Sequence, residues 1–218
     1  MPVDILPGDA RNVLSRFEIE PAAGERLSVY VELLRKWQAT HNLVSHSTLP
    51  EVWTRHVADS LQLVSDLPER GLWMDVGSGG GFPGLVLAVV AADKPDLRFV
   101  LVESNGKKCA FLRTVARETG ARAEIVLGRI EDQAERFGGR ADVVSARALA
   151  PLDDLCRLTK PLLTPKGALL AMKGQDFAAE EAEAARNWTY DLATRPSLID
   201  PAGCVATLRH LQARTSPS

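Results

Sequence analysis

The stretch that decides the fold is "LWMDVGSGGGFPGLVLAVV", residues 72–90. Its first five residues, apolar except for Asp75, read as a short strand. From Pro83 onward it reads as an apolar helix, with the proline well placed in the first turn. Between the two, five of the eight residues 77–84 are glycine. Glycine is costly to order, so its concentration at a strand-to-helix turn marks a backbone that must bend sharply or come close to a ligand.

Working outward, the same rhythm repeats. Strands are expected at "LRFVLVE" (97–103), "AEIVLG" (123–128), "ADVVSA" (141–146) and "GALLAMKG" (167–174). Helices are expected at "NGKKCAFLRTVARETG", closed by Gly120, at "PLDDLCRLTKPLL" and at "DFAAEEAEAARNW", with a short helical turn in "EDQAERF". "YDLATRPSLI" and "CVATLRHLQA" can pair as two closing strands. This alternation predicts an α/β fold: a seven-stranded, mostly parallel sheet with helices on both faces and an antiparallel edge. Residues 1–70 show no strand pattern. "GDARNVLSRF", "AAGERLSVYVELLRKWQATHN" and "LPEVWTRHVADSLQLVSDL" all read as helical, so an N-terminal helical cap (1–70) precedes the sheet domain (71–218). Only "RTSPS" at the end reads as a loose tail.

The bulk numbers exclude several classes. A net charge of −2 over 218 residues gives no global attraction to nucleic acid or membrane. The longest apolar run, "LVLAVVAA", is too short to span a bilayer, and "MPVDILPGDARNVL" lacks the pattern of a signal peptide. Three scattered cysteines suggest neither a disulfide framework nor a zinc site, and no metal is expected. The cytoplasm is the expected setting. Locally, Lys107, Lys108, Arg113, Arg117 and Arg122 outnumber Glu118 within 107–122, which fits an anion-facing surface or a solvated helix face equally.

Two ligand templates fit the glycines. Gly79-x-Gly81-x-x-Gly84, with Glu103 about twenty residues on, matches a dinucleotide fingerprint. Asp75-x-Gly77-x-Gly79-x-Gly81 matches a loop that binds S-adenosylmethionine. Chemistry separates them. A diphosphate needs bare N–H groups at a helix N-terminus and is repelled by a carboxylate. Pro83 removes one N–H, and Asp75 stands two residues before the first glycine. A sulfonium compound carries positive charge that an acid holds directly or through water. Glu103, ending the second strand, is then the expected acceptor for two ribose hydroxyls. Ile130 and Glu131, beyond the third strand, lie where an adenine edge would rest.

"NLVSHSTLPEVWTRHVADSL", "DVGSGGGFPG", "ESNGKKCAFLR", "GRIED" and "VVSARALAPL", in this order and spacing, resemble the RsmG (GidB) family of bacterial small-subunit rRNA methyltransferases. The resemblance runs from about residue 37 to 174. It implies a class I, Rossmann-like fold and an enzyme that methylates N7 of a guanosine in 16S rRNA, at position 527 in relatives. It also implies cofactor contacts at Gly77, Phe82, Ile130, Glu131 and Arg147, beside the loop residues Asp75 and Gly79. The partner is then the small ribosomal subunit, and a monomer is expected. A methyltransferase acting on a small molecule, or a non-catalytic RNA-binding module, is the alternative.

N7 of guanine carries an in-plane lone pair, so no proton must leave before attack, and no residue stands out as a general base. Arg147 either holds the methionine carboxylate, bonds the guanine O6 edge, or serves as a structural ion-pair residue. Lys107, Lys108 and Arg129 are candidate RNA contacts, with surface charge as the bland alternative. Trp37 reads as core. His56 reads as a packing histidine or, with Arg55 and Asp59, as part of a polar network over the cofactor mouth.

Overall fold

The computed structural model describes residues 7–214, so all but the first residue of the expected tail lies outside it. Seven strands form one sheet in the order β3-β2-β1-β4-β5-β7-β6. They are β1 (Gly71–Val76), β2 (Leu97–Glu103), β3 (Ala123–Leu127), β4 (Ala141–Arg147), β5 (Leu163–Lys173), β6 (Trp188–Pro196) and β7 (Cys204–Ala213). The first five run parallel; β7 enters antiparallel between β5 and β6. The helices are α1 (Gly8–Arg16), α2 (Pro21–His41), α3 (Ala58–Leu61), α4 (Gly84–Val90), α5 (Gly106–Thr119), α6 (Ala134–Phe137), α7 (Leu152–Thr159) and α8 (Phe177–Asn187).

Alternate residues of each central strand feed two cores, as a sheet buried on both faces requires. Trp73, Phe99, Leu101, Val143 and Leu170 pack toward α1, α2, α4 and α5. Leu72, Met74, Val100, Val144 and Leu169 pack toward α6, α7 and α8. The first core also contains Leu27, Tyr30 and Leu34 of α2 and Trp53. The change of secondary structure near residue 70 is therefore crossed by one continuous apolar core.

Local chemistry explains the element ends. Asn105 caps α5, its Oδ1 accepting the N–H groups of Lys107 (2.9 Å) and Lys108 (3.2 Å). Gly120 closes that helix at φ 67°. The segment 51–67 departs from the single helix expected. It is a wide turn over Val52–Val57, in which Ala58 N–H reaches back five residues to Trp53 C=O, followed by α3 and a tight turn at Val64–Asp66. Widened turns of this type often accompany functional sites. Here the turn carries Arg55 and His56.

Candidate active site

The parallel strands deliver their carboxyl ends to one edge of the sheet, where a cleft of about 750 Å³ opens. Its floor is the turn after β1. Gly77, Gly79 and Gly81 all have positive φ (69°, 55° and 98°), which explains the glycines. The turn is fastened to β2. Gly77 N–H and Ser78 N–H donate to Val102 C=O, and Gly79 N–H donates to Glu103 Oε2 at 2.8 Å. Glu103 Oε1 accepts Asn105 N–H at 2.8 Å. Each carboxylate oxygen keeps a second lone pair.

Asp75, expected to hold a ligand directly or through water, lies beneath the turn. It shares the β1 face of Trp73, is 1% exposed, and does not line the cleft. Its Oδ1 accepts the Ser145 hydroxyl at 2.6 Å, and that hydroxyl accepts Trp73 Nε1–H at 2.8 Å. Its Oδ2 is buried with no hydrogen-bond partner among the described residues. A Cβ on Gly84 would come within 2.6 Å of its Cγ, so the glycine at the start of α4 makes room for this acid. Burial pushes the carboxyl up to about 6, with Ser145 pulling the other way.

One wall of the cleft is a stack of charged and aromatic groups. The Phe82 ring lies 5.5 Å from Tyr30 and 5.1 Å from His56, and the Arg147 guanidinium sits 5.2 Å from its centroid. Tyr30 donates its hydroxyl to Gly80 C=O. Arg147 Nη1 donates to Asp59 Oδ2 (3.1 Å) and to His56 Nδ1 (3.2 Å). A guanidinium can only donate, so Nδ1 is the acceptor and the imidazole proton is on Nε2, which meets Thr48 Oγ1 at 2.9 Å. Burial, then Arg147 and Arg55, lower the His56 pKa to about 4, and the ring is neutral at pH 7. Asp59 is pushed up by burial, against the pull of Arg147, and its Oδ1 accepts from Gln62 Nε2 at 2.7 Å.

The opposite wall comes from the loop after β4 and from the end of β5. Ala148 has φ 48°, a left-handed backbone at a non-glycine residue beside the site. The next residue, Leu149, lies over Gly77; a Cβ there would come within 2.6 Å of it. Lys173 ties this wall together. Its ammonium donates to Ala150 C=O at 2.8 Å and pairs with Glu180, whose carboxylate also accepts Leu152 N–H at the start of α7.

The cleft thus brings together Gly77, Gly79, Phe82 and Arg147 of the residues expected from the sequence. Glu103 borders it through Gly79. Ile130 is half-buried against the second core, Glu131 and Arg129 are exposed beyond β3, and none of the three lines the cleft. Lys107 is exposed and Lys108 half-buried at the start of α5. His56 and Asp59 join the cleft as the polar-network reading has it, while Ser145, Leu149 and Lys173 carry no spacing signal. Among the described residues no helix is long and apolar enough to cross a membrane. Nor does any group of three or more His, Cys, Asp or Glu side chains form a metal-binding cluster there.

The arrangement suits a cationic adenosyl compound and not a diphosphate. The Gly79 amide already serves the Glu103 carboxylate, and a second acid, Asp75, lies beneath the start of α4. Backbone rather than side chain faces outward at Gly79, where an added Cβ would meet nothing closer than Gly77 C=O at 3.8 Å.

Comparisons with known proteins agree with this geometry. Among solved structures of like fold are a SAM-dependent methyltransferase from Aquifex aeolicus and M. jannaschii TYW2 in complex with AdoMet. The first has a TM-score of 0.54 at 10% identity, over 73% of this chain and 92% of that one. The second has a TM-score of 0.55 at 12% identity, over 79% and 78%. At such identities they establish the class I methyltransferase fold alone. Sequence relatives are far nearer. A protein of Rhodopseudomonas palustris strain BisB18 named ribosomal RNA small subunit methyltransferase G is 48% identical over 84% of this chain and 78% of its own. One of the same name from Cereibacter sphaeroides is 45% identical over 92% and 97%. The family described as rRNA small subunit methyltransferase G (GidB) matches residues 23–200, and the chain belongs to that family.

Proposed function

We propose that the protein transfers a methyl group from S-adenosylmethionine to N7 of a guanosine in 16S rRNA, at the position equivalent to 527. Membership of the family carries the rRNA assignment. Family membership also carries the N7 assignment, and the cleft wall is compatible with it because its histidine has both nitrogens engaged. Arg147 occupies His56 Nδ1, and Nε2 is turned to Thr48. His56 is therefore not free to act as a base, and attack by the N7 lone pair needs none.

S-adenosylmethionine, when bound, supplies an electrophilic methyl group on a positive sulfur. Gly77 and Gly79 would hold it by backbone approach, Glu103 by its free lone pairs toward ribose, and Ile130 and Glu131 at the adenine side. Asp75 acts from below, setting the turn through Ser145 and the start of α4. Arg147 and, behind it, the buried Phe82 ring present a cationic plane suited to an unstacked purine, which offsets part of the cost of about a few kcal/mol for removing it from its stack. Their task is alignment and exclusion of water. Lys107, Lys108 and Arg129 serve as RNA contacts around the rim. The protein works in the cytoplasm as a monomer, with the helical segment 1–70 shaping the substrate side.

The test is transfer of tritium from labelled cofactor to small ribosomal subunits lacking the modification, followed by mass-spectrometric mapping of the product base. Label at N7 of the expected guanosine supports the proposal. Label elsewhere, or on added free metabolites instead of rRNA, defeats it.

A further inference from the structure

The opposite edge of the sheet carries a feature that the methyl-transfer cleft does not use. Around the starts of β1, β2 and β3 lies a second cleft of about 300 Å³, lined by Arg98, Arg122, Arg136 and Arg140. Its origin is architectural. The α7 and α8 helices cover the sheet beside β4 and β5, while this face of β1 to β3 has a shorter cover of Ile130 and the four residues of α6. The floor that results is apolar, with Leu72, Val100 and Phe137. The arginines come from four separate places in the chain: the second residue of β2, the turn before β3, α6, and the turn before β4.

The charges at this cleft are unbalanced. Glu124 is the one acid in its lining, and it is taken by Arg136 at 2.6 Å. The Arg136 guanidinium also lies 4.8 Å from the centroid of the Phe137 ring. Asp142, which is not part of the lining, has one carboxylate oxygen engaged by Leu72 N–H at 2.9 Å. The side chains of Arg98, Arg122 and Arg140 form no ion pair or hydrogen bond among the described residues. Gathering three unpaired guanidinium groups around one concavity costs self-repulsion, which an anion would relieve. Three free planar donors at the rim and an apolar floor match phosphates together with an unstacked base. A bare inorganic anion would leave the floor unused.

Resting on the rRNA reading above, we propose that this cleft is a second RNA-holding site. It grips the phosphate backbone of a single-stranded rRNA stretch on the edge of the sheet opposite the acceptor base. β1 has six residues, so the two sites stand about 20 Å apart along the strands. The distal grip contributes affinity and orientation and takes no part in methyl transfer.

The experiment compares the wild-type chain with Arg98→Gln/Arg122→Gln/Arg140→Gln. A charge-matched control, Arg117→Gln/Arg157→Gln/Arg186→Gln, loses three exposed arginines that pair with acids elsewhere. Methyl transfer to unmodified small subunits is measured across salt concentrations, with S-adenosylhomocysteine affinity as the check on folding. The cleft variant should raise KM for the subunit about tenfold or more near 0.1 M salt. It should also flatten the slope of log KM against log salt by about 2, since each single-strand phosphate contact contributes roughly 0.7. Its kcat and cofactor affinity should stay at wild-type values, and the control should move KM little. An unchanged KM and slope, or an equal change in the control, overturns the proposal. Ultraviolet cross-linking of the wild type to the subunit gives a second readout. Cross-linked peptides covering 98–100 or 136–140 support the site, and cross-links confined to the cofactor edge refute it. If the wild type methylates no rRNA at all, the functional reading fails instead; cross-linking and equilibrium binding of single-stranded RNA to both variants still decide the second site.

Discussion

Replacing Arg147 and Asp59 singly and together tests whether their ion pair holds the cleft wall. Nη1 and Oδ2 are 3.1 Å apart, and the side chains are 20% and 18% exposed. At that separation the bare attraction is about 5 kcal/mol for an effective permittivity of about 20. Desolvation of both groups takes back much of it, so we expect a coupling of about 1.5–3 kcal/mol, above the ~1 kcal/mol of an exposed pair. Arg147→Ala leaves Asp59 with the Gln62 contact and removes the cation over Phe82. It should cost about 2–4 kcal/mol of unfolding free energy, and the same change in an Asp59→Asn background should cost about 1.5–3 kcal/mol less. Urea unfolding at pH 7 with an unchanged m value measures each corner of the cycle. Additivity within about 0.5 kcal/mol would refute the reasoning: Arg147 would then be a free ligand-binding cation that Asp59 merely accompanies.

Asp75 and His56 make opposite pH signatures. The Asp75 carboxyl is raised to about 6, so the stability it contributes is full below the unfolded value of 3.8 and is lost as pH rises through 6. Wild type minus Asp75→Asn should therefore lose about 3 kcal/mol of relative stability between pH 4 and 7. His56 is lowered to about 4, so stability is lost as pH falls from 6.5 toward 4. His56→Gln should remove that loss from the profile of denaturation midpoint against pH. Glu103→Gln keeps one acceptor but replaces the other with a donor, so one of Gly79 N–H and Asn105 N–H loses its partner. Calorimetry should show S-adenosylhomocysteine affinity down by roughly tenfold or more, about the 1–3 kcal/mol of an unmet buried donor. Gly84→Ala drives a Cβ into Asp75 Cγ and should destabilise by about 2 kcal/mol or more, read from thermal melting.

Much of this molecule was legible in its sequence because its central strands β1, β2 and β4 are short and buried on both faces. "LRFVLVE" marks β2 at the bounds observed, and the Asn105 cap and Gly120 stop frame α5. The glycine turn was legible because left-handed backbone demands glycine. What escaped was whatever depends on the direction of a side chain in three dimensions. Spacing places Asp75 beside the turn, but strand parity sends it to the α4 face, under Gly84 and outside the cleft lining. The interrupted segment 51–67 keeps an apolar periodicity that a continuous helix would share. His56 and Arg147 are 91 positions apart, and nothing local announces their contact. The four arginines of the distal cleft fall between 98 and 140 with no common motif, and only the parallel strand starts bring them together.

The continuous core beneath the N-terminal helices limits how this protein can be cut or recombined. Leu27, Tyr30 and Leu34 fill the same interior as Leu85, Val86 and Phe111. Removing the first seventy residues would strip a wall from the interior and leave those side chains wet. The segment therefore cannot be grafted onto another methyltransferase as a specificity module, nor swing aside as a gate. Changes in what this enzyme accepts must come through point substitutions that respect the shared packing.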